Sequence, residues 1–132
     1  MMCRRTLLSA IGAAAFLSAA SVGLAKSLIP GFDDAAKADV PVLVHVTAPW
    51  CETCQAQKPI VSELLAKPIF ADMKKFDIDF DSQKGILADL RVTTQSTMIV
   101  FRDGKEIDRQ IGQTDPFLAR DRCFWCMRDL RS

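Results

Sequence analysis

Val40-Pro41-Val42-Leu43-Val44-His45-Val46-Thr47-Ala48-Pro49-Trp50-Cys51-Glu52-Thr53-Cys54 is the stretch whose reading decides the fold. Residues 40–46 are β-branched and nearly all apolar, the pattern of a strand buried on both faces. Ala48-Pro49-Trp50 ends that strand. From Cys51 to Ala66 the apolar residues Ile60, Val61, Leu64 and Leu65 recur at helical spacing, with Pro59 inside and expected to kink the helix. Two cysteines therefore stand where a buried strand feeds a helix. A thiolate placed there meets free backbone N–H groups and the positive end of the helix dipole, which lower its pKa. The two-residue spacing brings Cys54 within bonding reach of Cys51 on the first turn. Cys51 is then expected to be the exposed attacking thiol and Cys54 the inner thiol that resolves a mixed disulfide. Zinc sites use the same C-x-x-C spacing, but a pair that follows a strand and opens a helix points to redox chemistry.

Outward from this segment the chain alternates strand and helix patterns. Ser27 to Ala38 is a lead-in with a helical turn around Phe32-Asp33-Asp34-Ala35-Ala36. Lys75 to Phe80 alternates as a strand, Gln83 to Leu90 reads as a short helix, and Thr97 to Phe101 as a strand. Asp103-Gly104 makes a hairpin turn into Glu106–Ile111. Asp115-Pro116 opens a last helical segment. The order β-α-β-α-β-β-α predicts one α/β domain with a central mixed sheet flanked by helices.

Composition narrows the function. The 132 residues are 49% hydrophobic and 25% charged, which excludes a disordered chain and a disulfide-dense mini-protein. A net charge of +1 offers no basic field for nucleic acid, so none is expected as a partner. The single His excludes any mechanism that needs two imidazoles.

The first 25 residues read as a signal peptide. Arg4 and Arg5 supply a positive start, Leu7 to Ala20 is apolar and uncharged, and Gly23-Leu24-Ala25 is a small-residue exit. An uncleaved anchor is the alternative, since Leu7 to Ala25 is marginal in length but weakly hydrophobic. The Arg pair also suits a twin-arginine signal, so the export route stays open between two systems. Cleavage after Ala25 would leave 107 residues with 15 basic and 16 acidic side chains. Cys3 would leave with the leader. The remaining cysteines form two C-x-x-C pairs, Cys51/Cys54 and Cys123/Cys126. Export into the periplasm is expected, and oxidising surroundings keep paired thiols chemically live.

From about Phe32 to Asp115 the chain resembles the thioredoxin family. Ala48-Pro49-Trp50-Cys51-x-x-Cys54 is similar to its active-site segment, and Pro59 to its helix proline. Lys75-Phe76-Asp77-Ile78-Asp79 looks like its central strand, Thr97 to Lys105 like its next strand and hairpin, and Gly112 like the glycine closing the last strand. The resemblance implies a thioredoxin fold over residues 26–116. It also implies dithiol–disulfide exchange through a Cys51–Cys54 disulfide, with no organic cofactor and no metal. Protein disulfide substrates are the implied partners of a monomer, with an electron donor at the membrane. Trp50 would cover the dithiol and shape the contact face.

Three departures from the family pattern matter. The family carries a buried Asp six residues before the first Cys, where this chain has His45. A neutral imidazole could take the proton from Cys54 in its place, with Lys75 nearby by analogy; otherwise His45 is a hydrogen-bonded strand residue. The family's cis-proline aligns with Ser96. A non-proline cis bond costs about 3 kcal/mol, so a trans bond or a rearranged loop is expected. Ser96 and Thr97 would keep the edge pairing with a bound substrate. Without that proline, metal capture by the cysteines becomes easier. Finally, Glu52 follows the attacking Cys. A carboxylate about 6 Å from a thiolate in near-aqueous surroundings costs about 0.7 kcal/mol, roughly half a pKa unit. The helix dipole opposes it with similar magnitude. These terms predict a moderately reducing couple.

Residues 117–132 form a helix or tail without a clear apolar face, since Arg120, Arg122, Arg128 and Arg131 are scattered through it. Its pair Cys123/Cys126 admits three readings: a structural bridge or idle thiols, a second redox pair, or two further ligands for a zinc or iron–sulfur site. The leading expectation for the chain is an exported thiol–disulfide oxidoreductase. A metal or iron–sulfur binding protein of the same fold, or a redox-inert adaptor, is the alternative.

Overall fold

The structure is a computed structural model that describes residues 28–128, with the backbone alone for 124–128. The leader of residues 1–25 and the end of the tail lie outside the described residues. The elements follow in the order α1 (Phe32–Lys37), β1 (Val42–Thr47), α2 (Glu52–Leu65), a 3-10 turn (Pro68–Phe70), β2 (Lys74–Asp79), α3 (Lys84–Asp89), β3 (Thr97–Arg102), β4 (Lys105–Ile111) and α4 (Pro116–Arg128). One sheet has the order β2-β1-β3-β4. β1 pairs with β2 in parallel and with β3 antiparallel, and β3 pairs antiparallel with β4. This is the mixed sheet flanked by helices that the strand and helix patterns predict.

The two central strands, β1 and β3, are buried on both faces, and alternation along β1 shows how. Val42, Val44 and Val46 face one side, where they pack with Phe32 and Ala35 of α1, Ile86 and Leu87 of α3, and Ile99 and Phe101 of β3. Leu43 faces the other side, with Val61 and Leu64 of α2, Phe70, Met73, Met98, Val100 and Cys123. Successive side chains on a strand point to opposite faces, so an almost unbroken apolar run is what a central strand with helices on both sides requires. β1 also shares both of its edges, with β2 on one side and β3 on the other.

The hairpin forms where Asp103-Gly104 places it. Both residues hold positive φ, 51° and 70°, as a tight two-residue turn between right-twisted strands demands. The tail is helical to Arg128. Among its described side chains, Ala119 and Cys123, one turn apart, are buried. Arg122 is held by charge, with Nη2 2.6 Å from Oδ1 of Asp108 on β4.

Candidate active site

Cys51 is the N-cap of α2. Its extended backbone (φ −85°, ψ 106°) lets its sulfur accept the Cys54 N–H at 3.1 Å. A helix N-terminus leaves its first N–H groups without internal partners, so the sulfur at this position satisfies one of them. Cys51 and Cys54 are joined as a disulfide across a Cα separation of 5.2 Å, within the usual span for such a bond. Cys54 is fully buried, with Sγ 4.0 Å from the Val46 carbonyl oxygen.

The expected exposure of Cys51 needs correction. In the disulfide form it is only 3% exposed. It packs with Ala48, Cys54 and the half-buried Phe80 in a small apolar cluster. The cross-link holds its sulfur in against the first turn of the helix. Trp50 lies beside it, 59% exposed. The indole Nε1–H donates to Oδ2 of Asp81 at 2.8 Å. That carboxylate is carried by a loop which Asp79 shapes by accepting the N–H groups of Asp81 and Ser82. The same two bonds lower the Asp79 pKa, the Ser82 contact most.

His45 is fully buried on the α2 side of β1. Nε2 lies 3.0 Å from Oε1 of Gln57. Gln57 is itself fully buried, and its amide nitrogen donates to the carbonyls of Ser96 (3.1 Å) and Gln113 (3.0 Å). Two carbonyl acceptors require the NH2 group on that side, so the amide oxygen faces His45. Oε1 can only accept. His45 therefore carries a proton on Nε2, and in the neutral ring Nδ1 holds a lone pair. Nδ1 has no hydrogen-bond partner and sits 3.7 Å from Oδ1 of Asp77. Lys75 Nζ is 3.0 Å from that same oxygen. The cross-strand pairs Leu43–Lys75 and His45–Asp77 put Lys75 and Asp77 on this side of the sheet.

Burial is the main force on His45 and pushes its pKa below the ordinary 6.5. The Gln57 hydrogen bond raises it, Lys75 lowers it, Asp77 raises it, and Lys58 lowers it again. The imidazole is thus held neutral near neutral pH.

Ser96 and Thr97 are buried at the entry to β3. The Gln95–Ser96 bond is trans, as expected, since the described residues contain no cis peptide. The loop is rearranged instead: Ser96 takes a left-handed φ of 57°, a conformation that costs a side-chain-bearing residue about 1 kcal/mol. Its hydroxyl donates to the Gln95 carbonyl, and the Thr97 hydroxyl to the Thr94 carbonyl, each at 2.6 Å. The Ser96 carbonyl also accepts the Gly112 N–H at 2.9 Å.

The structure therefore assembles Cys51, Cys54 and Trp50 in one place and His45 with Lys75 in another. Ser96 is tied to His45 through Gln57. Sequence reasoning missed Gln57, Asp77 and Asp81. A signal for Gln57 was present: Cys54, Gln57, Val61 and Leu64 are the buried stripe of α2, so an amide stands at a core position. Among the described residues no cluster of three His, Cys, Asp or Glu side chains is arranged to hold a metal ion.

Comparison with known proteins agrees with this geometry. The family model described as Thioredoxin matches residues 27–119. The chain is 32% identical over 78 residues to thioredoxin Asp f 29 of Aspergillus fumigatus, covering 59% of this chain and 71% of that protein. It is 35% identical over 86 residues to a thioredoxin of Mycolicibacterium smegmatis, covering 61% and 77%. Among solved structures it is similar to Trxlp from Edwardsiella tarda EIB202, with TM-score 0.67 and 41% identity over 69% of this chain and 88% of that one.

Proposed function

This chain belongs to the thioredoxin family and is a thiol–disulfide oxidoreductase, and on that premise we propose that it works as an exported reductant of protein disulfides. The observation that carries this reading is the Cys51 sulfur capping α2 and accepting the Cys54 N–H. In the reduced protein the same site favours a thiolate. Cys51 attacks a disulfide sulfur of the partner, forming a mixed disulfide and releasing one partner thiolate. Cys54 then attacks Cys51, closing the intramolecular disulfide and releasing the second partner thiolate. Two electrons pass from the dithiol to the partner, and the two protons lost by Cys51 and Cys54 are balanced by those the partner's sulfurs take up. Trp50, exposed and anchored to Asp81, forms part of the face the partner meets. The Thr94–Ser96 loop that leads into β3 receives the partner's backbone, whereas Thr97, expected to share that pairing, is flanked by Val46 and Ile111 inside the sheet. The protein acts as a monomer. A donor at the membrane returns the dithiol to its reduced state.

Export rests on the pattern of residues 1–25. Expressed as the full chain in a Gram-negative host, the protein should appear in the periplasmic fraction beginning at Lys26. There it should catalyse insulin reduction by dithiothreitol. Recovery of an uncut cytoplasmic protein would overturn export; failure to accelerate reduction would overturn the exchange reaction. The opposed effects of Glu52 and the helix end support a moderately reducing couple, and a measured potential near the roughly −120 mV of strong disulfide donors would contradict it.

His45, whose one unprotonated nitrogen faces Asp77 rather than the cysteines, acts as a buried strand residue that holds Gln57, and Lys75 helps keep its ring neutral. Its lowered pKa fixes the sign of a pH effect. The unfolded chain binds a proton at His45 first, so stability is complete above about pH 6.5 and falls as pH drops through the folded-state value. A His45→Gln variant keeps a donor for Gln57 but does not titrate. Urea unfolding at several pH values should show a shallower loss of stability between about pH 7 and 5 than in wild type. Identical slopes would remove the contribution of His45 to the pH dependence of stability.

A further inference from the structure

The buried amide of Gln57 is used by neither cysteine, yet it joins four parts of the fold. It sits on α2 one turn beyond Cys54, accepts the Nε2–H of His45 on β1, and donates to the carbonyl of Ser96 before β3 and of Gln113 after β4. Both amide protons are spent, and the side chain is fully buried. Ser96 stands with a left-handed φ of 57°, a conformation that an L residue keeps only where its surroundings impose it. Its carbonyl is held from two sides, by the Gly112 N–H and by Gln57. The hydroxyls of Ser96 and Thr97 tie back to the preceding carbonyls of Gln95 and Thr94. Of these ties only the Gln57 amide reaches the loop from the helix that carries the cysteines.

We propose that Gln57 is a positioning residue of the exchange reaction: it clamps the Thr94–Ser96 loop against the cysteine helix in the shape that receives the partner's backbone. The proposal rests on the reading that this loop docks the substrate. Gln57 does not touch the reacting sulfurs, so its loss affects docking rather than the intrinsic attack by Cys51. The clamp is also indifferent to the charge of His45. Both the neutral ring deduced above and the imidazolium donate from Nε2 to Oε1, and added protonation at Nδ1 points instead toward Asp77, with Lys75 and Lys58 opposing it.

Two variants separate docking from chemistry. Gln57→Met removes all three hydrogen bonds at similar volume, and Gln57→Glu keeps the acceptor for His45 while losing the amide donors. With insulin as protein disulfide, KM should rise at least about five-fold in both, with kcat within about two-fold of wild type. With DTNB, a small disulfide that needs no backbone docking, the rate constant should stay within about two-fold. An unchanged KM for insulin, or a parallel loss with DTNB, overturns the proposal. If neither variant folds, the wild-type protein decides: the Gln57 side-chain NH2 should exchange with solvent slowly in both redox states, and fast exchange overturns the clamp. The docking reading has its own readout. Amide resonances of residues 95–97 should shift when a mixed disulfide with a substrate peptide forms, and their indifference would sink that reading whatever the Gln57 variants do.

Discussion

A Cys54→Ser variant, reduced and mixed with an oxidised protein substrate, should accumulate a covalent complex linked through Cys51. In the wild-type protein the same complex is short-lived, because Cys54 sits one helical turn away with a Cα separation of 5.2 Å, already placed for the resolving attack. Serine preserves the volume and removes the resolving sulfur. Turnover should fall to background in Cys54→Ser and in Cys51→Ser, but only the first should yield the complex, visible on non-reducing gels and lost on adding dithiothreitol. A stable complex formed by Cys51→Ser through Cys54 would reverse the assigned roles. It would also conflict with Cys54 being the more deeply buried of the two.

Phe32→Ala should be the most destabilising single change outside the cysteine pair. Phe32 is fully buried at the start of α1. Its ring meets Phe101 edge-on at 5.1 Å and Phe76 at 6.3 Å. It thereby seals the sheet face formed by Val42, Val44 and Ile99. Truncating a buried Phe removes its transfer free energy and leaves a cavity, at a cost of about 3–5 kcal/mol. For a domain of this size that lowers Tm by on the order of 15–30 °C. Phe117, 66% exposed on α4, is the internal control: Phe117→Ala should change stability by no more than about 0.5 kcal/mol. Thermal and urea unfolding of the two variants side by side tests the contrast. A loss below about 1 kcal/mol for Phe32→Ala would mean that α1 is not part of the cooperative core.

Much of this architecture was legible in residue order because local and global signals agree. Val42 to Val46 reads as a two-sided strand and is one. Ala48-Pro49-Trp50 ends that strand, and Cys51 caps α2. Asp103-Gly104 supplies the two positive φ values that its turn needs. Where the reading stopped, a long-range contact decided. Gln57 looks like any polar helix residue until Ser96 and Gln113, 39 and 56 positions away, converge on its amide. Asp81 matters because the loop after β2 swings it to the indole of Trp50. Among the described side chains of α4, Ala119 and Cys123 are buried and Arg122 pairs with Asp108, contacts that residue order alone does not reveal. The burial of Cys51 in the disulfide form has a related reason. Chemistry demands a reachable sulfur, whereas the disulfide packs it against Ala48 and Phe80, a neighbour 29 residues on in sequence. Reduction must free that sulfur for attack.

The account depends on the reactivity of that freed sulfur. Its most direct test is the pH dependence of iodoacetamide alkylation of Cys51 in the reduced Cys54→Ser variant. The rate should rise through an apparent pKa clearly below the roughly 8.5 of an ordinary cysteine, because the amide hydrogens at the helix start favour the thiolate. A pKa at or above that value, or a sulfur that resists alkylation after reduction, would contradict it.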